Sequence, residues 1–320
     1  MCKKTKIWLI LAALLVVIGL IIFAAVMTAY NWDFTKLSTE KYETNAYEVS
    51  GEFRNIIITS DTADIAFVTS EDKICKVICY EPEKAKHSVV VQDGMLTIAE
   101  INGRKWYDYI GISIGTPKIT VYLPDAVYDG LTIKEHTGDV EIPADFRFES
   151  IDVSTGTGDV KDYASASSSI RIKTSTGDIH VENSTTDTLD LSVSTGSITV
   201  SNVTCVGDAK INVSTGKTNI TNTKCKNMMS SGKTGGISLK NVIAAEKLSI
   251  ERSTGYVRFD SCDATDIFVE TGTGDVTGTF LSEKLFIVET GTGSIDVPKS
   301  ITGGRCEITT STGDIRLDIR

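Results

Sequence analysis

The chain has 320 residues, 41% hydrophobic and 23% charged, with a formal net charge of −10. That composition supports a sizeable core and excludes a disordered chain. The acidic balance excludes nucleic acid and anionic lipid surfaces as expected targets, because polyanions repel one another.

Taken in chain order, residues 7–29 form an apolar run interrupted only by Gly19 and Thr28. As a helix this run reaches roughly 35 Å, enough to cross a bilayer. Lys3, Lys4 and Lys6 precede it and no basic cluster follows closely, which predicts a cytoplasmic N-terminus and an extracytoplasmic remainder. Without those three lysines the exported part carries −10 − 3 = −13. Trp8, Tyr30 and Trp32 suit interfacial aromatic belts. The rival is a cleaved signal peptide, but the run exceeds a usual h-region and lacks an A-x-A site at residues 24–29. An uncleaved single-pass cell-membrane anchor over residues 1–30 is therefore expected. Cys2 lacks a preceding lipobox and is expected to be a cytoplasmic thiol, with palmitoylation as the alternative. Residues 31–46 are short, polar and mixed in charge, a stem of at most about 50 Å.

The main signal is internal repetition. A Thr-Gly pair places its glycine at Gly138, Gly158, Gly177, Gly196, Gly216, Gly235, Gly255, Gly274, Gly293 and Gly313, at intervals of 19 or 20 residues throughout. Period-two alternation flanks each pair, as in Ile170-Arg171-Ile172 before and Ile179-His180-Val181 after Gly177. Two short strands per unit, stacked about 4.8 Å apart, predict an all-β fold: a parallel β-helix or β-solenoid of about ten coils over residues 131–320, behind one transmembrane helix. Glycine suits the turn because it accepts positive φ. The ten preceding threonines, Thr137 through Thr312, are expected to stack in a column, and Asn183, Asn202, Asn222 and Asn241 in an amide ladder. Residues 47–130 alternate less regularly, with a degenerate turn at Thr62-Ala63-Asp64-Ile65, and are expected to be irregular coils that cap the solenoid.

At units such as Ser175-Thr176-Gly177-Asp178-Ile179, with the upstream strand Ile119-Thr120-Val121-Tyr122-Leu123-Pro124, the chain resembles a bacterial putative-adhesin family. These are β-strand-repeat proteins of the domain-of-unknown-function kind. The resemblance covers roughly residues 47–320, implies a β-strand-repeat surface protein with an N-terminal anchor, and carries no catalytic residues over.

No residue set earns a catalytic, cofactor-binding or metal role. The turn aspartates Asp139, Asp159, Asp178, Asp275 and Asp314 could line a calcium edge, but Ser197, Lys217, Gly236 and Tyr256 break the column, so solvated turn residues are expected. Cys205 and Cys225 share one place in adjacent coils, within disulfide reach; buried free thiols are expected, with that bridge the best exception. Cys75 and Cys79, four apart on a strand, are too distant to bond. His87, His136 and His180 show neither zinc spacing nor a carboxylate–histidine–serine set and are expected at the surface. Trp106, Tyr107, Asp108 and Tyr109 form an aromatic cluster that could meet sugar or peptide but is expected to pack the cap. The Thr-x-Thr triplets share parity with core positions, which argues against an ice-ordering face.

The expected function is a non-enzymatic, adhesin-like binding protein of the surface or cell envelope, its partner a cell-wall polymer, the matrix or an envelope protein. The alternative is a regulatory or structural subunit of an envelope-stress system, pairing through an exposed last coil at residues 315–320. Arg316, Asp318 and Arg320 would guard that edge. A polysaccharide-active enzyme is disfavoured, because constant coil spacing leaves no loops to wall a cleft.

Overall fold

The computed structural model describes residues 3–109 and 113–320; Cys2 lies outside them. Helix α1 (Lys3–Ala29) contains the apolar stretch Thr5–Ala29, with a mean hydropathy of 3.3. The chain then enters a sheet at β1 (Tyr42–Glu48), inside the stretch expected to be stem. Eight more strands follow: β2 (Asn55–Thr62), β3 (Asp64–Thr69), β4 (Lys76–Pro82), β5 (Ala85–Gln92), β6 (Met95–Asn102), β7 (Lys118–Leu123), β8 (Val127–Thr137) and β9 (Val140–Ile142).

From β8 onward the chain winds into a parallel β-solenoid. Ile151 lies between Leu131 and Ile170, and Thr157 between Thr137 and Thr176. The same register continues through Thr195, Thr215, Thr234, Thr254 and Thr273. Alternation decides which residues turn inward. Ile151, Val153, Ile170, Ile172, Leu189 and Leu191 are almost wholly buried, each stabilising the fold by about 1.5–3 kcal/mol.

The ten Thr-Gly corners have one geometry. Their glycines have φ from +125° to +158°. A Cβ on any of them would lie only 1.8–2.2 Å from a carbonyl oxygen of the neighbouring coil. Close approach therefore excludes side chains as firmly as the backbone angle does. Some of the carbonyls that crowd these corners accept a hydroxyl from inside. Thr174 donates its hydroxyl to Gly158 O at 3.3 Å, Thr271 to Gly255 O at 3.3 Å and Thr310 to Gly274 O at 3.2 Å. In those triplets the first threonine is thus buried, while the second, Thr176, Thr273 or Thr312, is exposed.

Spatial order departs from chain order at both ends. At the N-terminal end, β2 and β3 form a coil that stacks on β8 and β9, with Ala63 in the glycine's place. The later strands β6 and β7 lie outside that coil. Antiparallel strands then close the stack, β5 on β6, β4 on β7 and β1 on β4. The irregular half is thus built partly of antiparallel strands rather than wholly of coils. At the far end, the coil ending in strand Ile315–Ile319 is not the edge. Strand Gly304–Thr312 pairs with Ile267–Thr273 on one side and with Lys284–Thr292 on the other. Strand Ile315–Ile319 likewise separates Val276–Phe280 from Ile295–Asp296. The corner glycines stack in the order Gly255, Gly274, Gly313, Gly293, so the exposed terminal coil is the earlier one.

Candidate functional site

The corners carry two hydrogen-bonded ladders. Asp139 N donates to Asp64 Oδ1 at 3.0 Å, Asp159 N to Asp139 Oδ1 at 2.8 Å, and Asp178 N to Asp159 Oδ1 at 2.8 Å. Ser197 N donates to Asp178 Oδ1 at 2.7 Å, and at the far end Asp314 N to Asp275 Oδ1 at 2.8 Å. These aspartates are therefore not merely solvated. Each caps the amide that the turn leaves unpaired in the next layer, by a charge-assisted bond. Two donors on Ser294, its amide and its hydroxyl, hold the Asp314 carboxyl below its ordinary pKa. The asparagine ladder is present too, with amide-to-carbonyl distances of 3.0, 2.9 and 2.9 Å from Asn183 to Asn241. All four asparagines sit at positive φ, between 49° and 56°, a second reason for asparagine that its spacing alone does not disclose.

His87 corrects the surface expectation, being 3% exposed. Its Nδ1 lies 2.7 Å from Glu81 Oε2 and its Nε2 3.1 Å from Ser60 Oγ, a buried serine–histidine–carboxylate set on β2, β4 and β5. Strand parity could have exposed Glu81: Val77 and Cys79 turn inward, and Glu81 continues their alternation. Cys79 Sγ, Glu81 and His87 also offer ligand atoms within 4.8 Å of one another. Both Glu81 oxygens and both His87 ring nitrogens already have partners, however. Glu81 Oε1 accepts from Asn45 Nδ2 at 2.7 Å, and Oε2 also from His87 N at 2.7 Å. The arrangement joins β1, β2, β4 and β5 and acts as an internal strut of that end of the stack. His136 is exposed, and the half-buried His180 meets Glu182 at 3.0 Å.

Further ionisable side chains turn into the core, among them Glu135, Asp162 and Arg252. Glu135 has one carboxylate oxygen without a partner, and burial pushes its pKa up to about 7. Asp162 is wholly buried and likewise pushed up to about 7 by desolvation. Arg252 fills the space over Gly232, donating to Ser230 Oγ at 2.8 Å, Thr218 Oγ1 at 3.0 Å and Ser231 O at 3.1 Å. Desolvation lowers its pKa to about 10. Small residues in one coil and one long side chain in the next thus conserve volume.

Cys75, Cys79, Cys205, Cys225, Cys262 and Cys306 are all buried free thiols, so Cys205 and Cys225 are not bridged. The aromatic cluster does not pack the cap as expected. Trp106 is 77% exposed and meets Tyr107 edge to face at 5.9 Å; the side chains of Asp108 and Tyr109 lie outside the described residues.

The geometry defines an all-β solenoid of about ten turns behind one apolar N-terminal helix, with antiparallel strands at its N-terminal end and interleaved coils at the other. The chain belongs to the Toastrack DUF4097 family, whose model matches residues 53–227 and 206–320. No curated protein matches the sequence. Among solved structures it is similar to a putative adhesin from Bacteroides fragilis, at 18% identity and a TM-score of 0.44, covering 87% of this chain and 97% of that one. A putative adhesin from Parabacteroides distasonis gives 11% identity and a TM-score of 0.48 over 87% and 98%. A putative lipid binding protein from Parabacteroides distasonis gives 18% and 0.45 over 75% and 95%.

Proposed function

We propose that the chain is a non-enzymatic, membrane-anchored surface protein. In this reading α1 spans the membrane with its N-terminus in the cytoplasm, and the solenoid binds a cell-wall polymer, the matrix or an envelope protein along its lateral faces. The observation that carries this reading is the parallel pairing that runs layer on layer from β8 to Thr273, with local bulges only, which gives long sides. Such sides suit extended partners, since repeated outward positions recur at every layer. The serine–histidine–carboxylate set does not weigh against it, because Ser60, His87 and Glu81 are buried and bonded to one another.

The test is to present the full chain in lipid nanodiscs to arrays of cell-wall glycans, matrix proteins and envelope extracts. Retention by one of these classes, without turnover of what is bound, is the expected result. Failure to be retained by any of them would end the binding reading. Glycan turnover lost on Ser60→Ala or Glu81→Gln would replace it with an enzyme.

A further inference from the structure

The interior of the N-terminal end gathers negative charge. Glu81 is wholly buried, and among the described residues it pairs with no lysine or arginine; its bonds come from Asn45 and His87. Ser60 on β2 is in register with Glu135 on β8, and His87 on β5 with Glu100 on β6. Glu100 and Glu135 each keep one buried carboxylate oxygen without a partner. Three carboxylates and one imidazole therefore share this part of the core. Buried charge of one sign calls for a compensating ion.

We propose that Cys79, Glu81 and His87 bind one zinc-class divalent ion through Sγ, Oε2 and Nδ1. The three residues offer ligand atoms within 4.8 Å of one another, and all three are buried. Nδ1 and Oε2 stand 2.7 Å apart. Tetrahedral coordination with bonds of about 2.0–2.3 Å sets ligand atoms roughly 3.3–3.6 Å from one another. The nitrogen and oxygen thus open by about 0.6 Å and the sulfur closes by at most about 1.2 Å, which side-chain rotation accommodates.

The surroundings already form an outer shell. Glu81 Oε1 accepts from Asn45 Nδ2 at 2.7 Å, and His87 Nε2 lies 3.1 Å from Ser60 Oγ. These contacts orient the carboxylate and the ring, and an ion displaces neither of them. Among the described residues the Cys79 thiol has no hydrogen-bond partner, whereas Cys205 and Cys262 donate to Asp187 O at 3.1 Å and Leu239 O at 3.5 Å. The ion takes the place of the proton between Nδ1 and Oε2. The imidazole keeps its proton on Nε2, where Ser60 Oγ accepts it, and the thiol proton leaves to solvent. One thiolate and one carboxylate then neutralise a double positive charge inside the core. Sulfur and nitrogen ligands exclude calcium and magnesium, which take oxygen. A water fills the fourth position. Because β4 pairs with β1 and β7, and β5 with β6, the ion cross-links two separate ladders.

The test uses the full chain in detergent micelles, kept reduced by a phosphine. After exposure to zinc and removal of loosely held metal, atomic emission should find one zinc per chain, and excess calcium should not displace it. Cobalt in place of zinc should give a thiolate-to-cobalt charge-transfer band in the near ultraviolet, which surface carboxylates cannot produce. Cys79→Ser should abolish that band, while Cys205→Ser, a buried thiol elsewhere, should keep it. Asn45→Ala should keep the band but weaken zinc binding by about tenfold to a hundredfold. Circular dichroism checks that each variant is folded. The cobalt spectrum of the parent needs no variant, so misfolding of Cys79→Ser leaves the proposal testable. A parent that retains no zinc, cobalt bound without the sulfur band, a band that survives Cys79→Ser in a folded chain, or displacement by calcium would each overturn it.

Discussion

Asp162 offers a test of how the solenoid interior treats charge. It stands in an inward column between Ile142 and Val181. One oxygen accepts from Ala164 N at 3.1 Å and the other has no partner. Burial raises its pKa from 3.8 to about 7. The folded state thus binds this proton more tightly than the unfolded chain does. The associated stability is fully present below the unfolded value and is lost as pH rises through the folded one. A rise of about three units corresponds to about 4 kcal/mol. Asp162→Asn keeps an acceptor for Ala164 and never ionises. Relative to the parent, the variant should be nearly neutral at about pH 4 and more stable by up to about 4 kcal/mol at about pH 8. Glu135 adds a slope of the same sign to both proteins, and that slope cancels in their difference. Unfolding of both, followed by far-ultraviolet circular dichroism across that range, gives the comparison. A stability difference that does not change with pH, or a variant weaker at pH 8, would refute the reasoning.

Gly216→Ala puts a Cβ 1.8 Å from Gly196 O at φ +141°, and should cost more than about 3 kcal/mol by thermal unfolding. Gly207→Ala, whose Cβ would sit 3.0 Å from Asp187 O without positive φ, should cost clearly less. Asn202→Ala removes two ladder bonds and strains a residue at φ 54°, for about 2 kcal/mol; Asn202→Gly should recover about half by relieving the backbone. Cys205 and Cys225 are pushed up to about 11 and about 12 by burial. Intact-mass analysis after iodoacetamide treatment at neutral pH should find both unlabelled in the native protein and labelled once it is unfolded.

The regular body was legible because its determinants are local. A Thr-Gly step every 19 or 20 residues needs no tertiary information to announce a coil, and Asn183 to Asn241 keep one offset from it. Layer order was not legible. Gly293 and Gly313 carry nearly the same motif, and parallel pairing looks the same to every strand, so nothing in either repeat marks which is outermost. Interior polar residues were hidden for a related reason. Glu81, Asp162 and Arg252 have surface-type chemistry at core parity, and only their neighbours' positions show what satisfies them. For Arg252 those neighbours are Gly232, Thr218 and Ser230, 20 to 34 residues earlier in the chain. The aspartate ladder lay between these cases: its spacing was visible, but the amide each carboxylate caps belongs to another layer.

The interleaved far end also governs how this molecule can change in length. Whole coils can be gained or lost within the regular body where the layers brought together still match in volume, as Arg252 and Gly232 do. The last three layers behave differently, because the final stretch of chain is threaded beneath the one made before it. A stop after Gly303 would not shorten the rod by its outermost layer. It would extract the layer below and leave residues 284–296 held to the body by the short segment 281–283 and the bonds of Lys284 to Asp263 and Ala264. Residues 284–296 and 304–319 therefore stand or fall together, and removal of the latter should be far more harmful than the loss of one repeat from the middle.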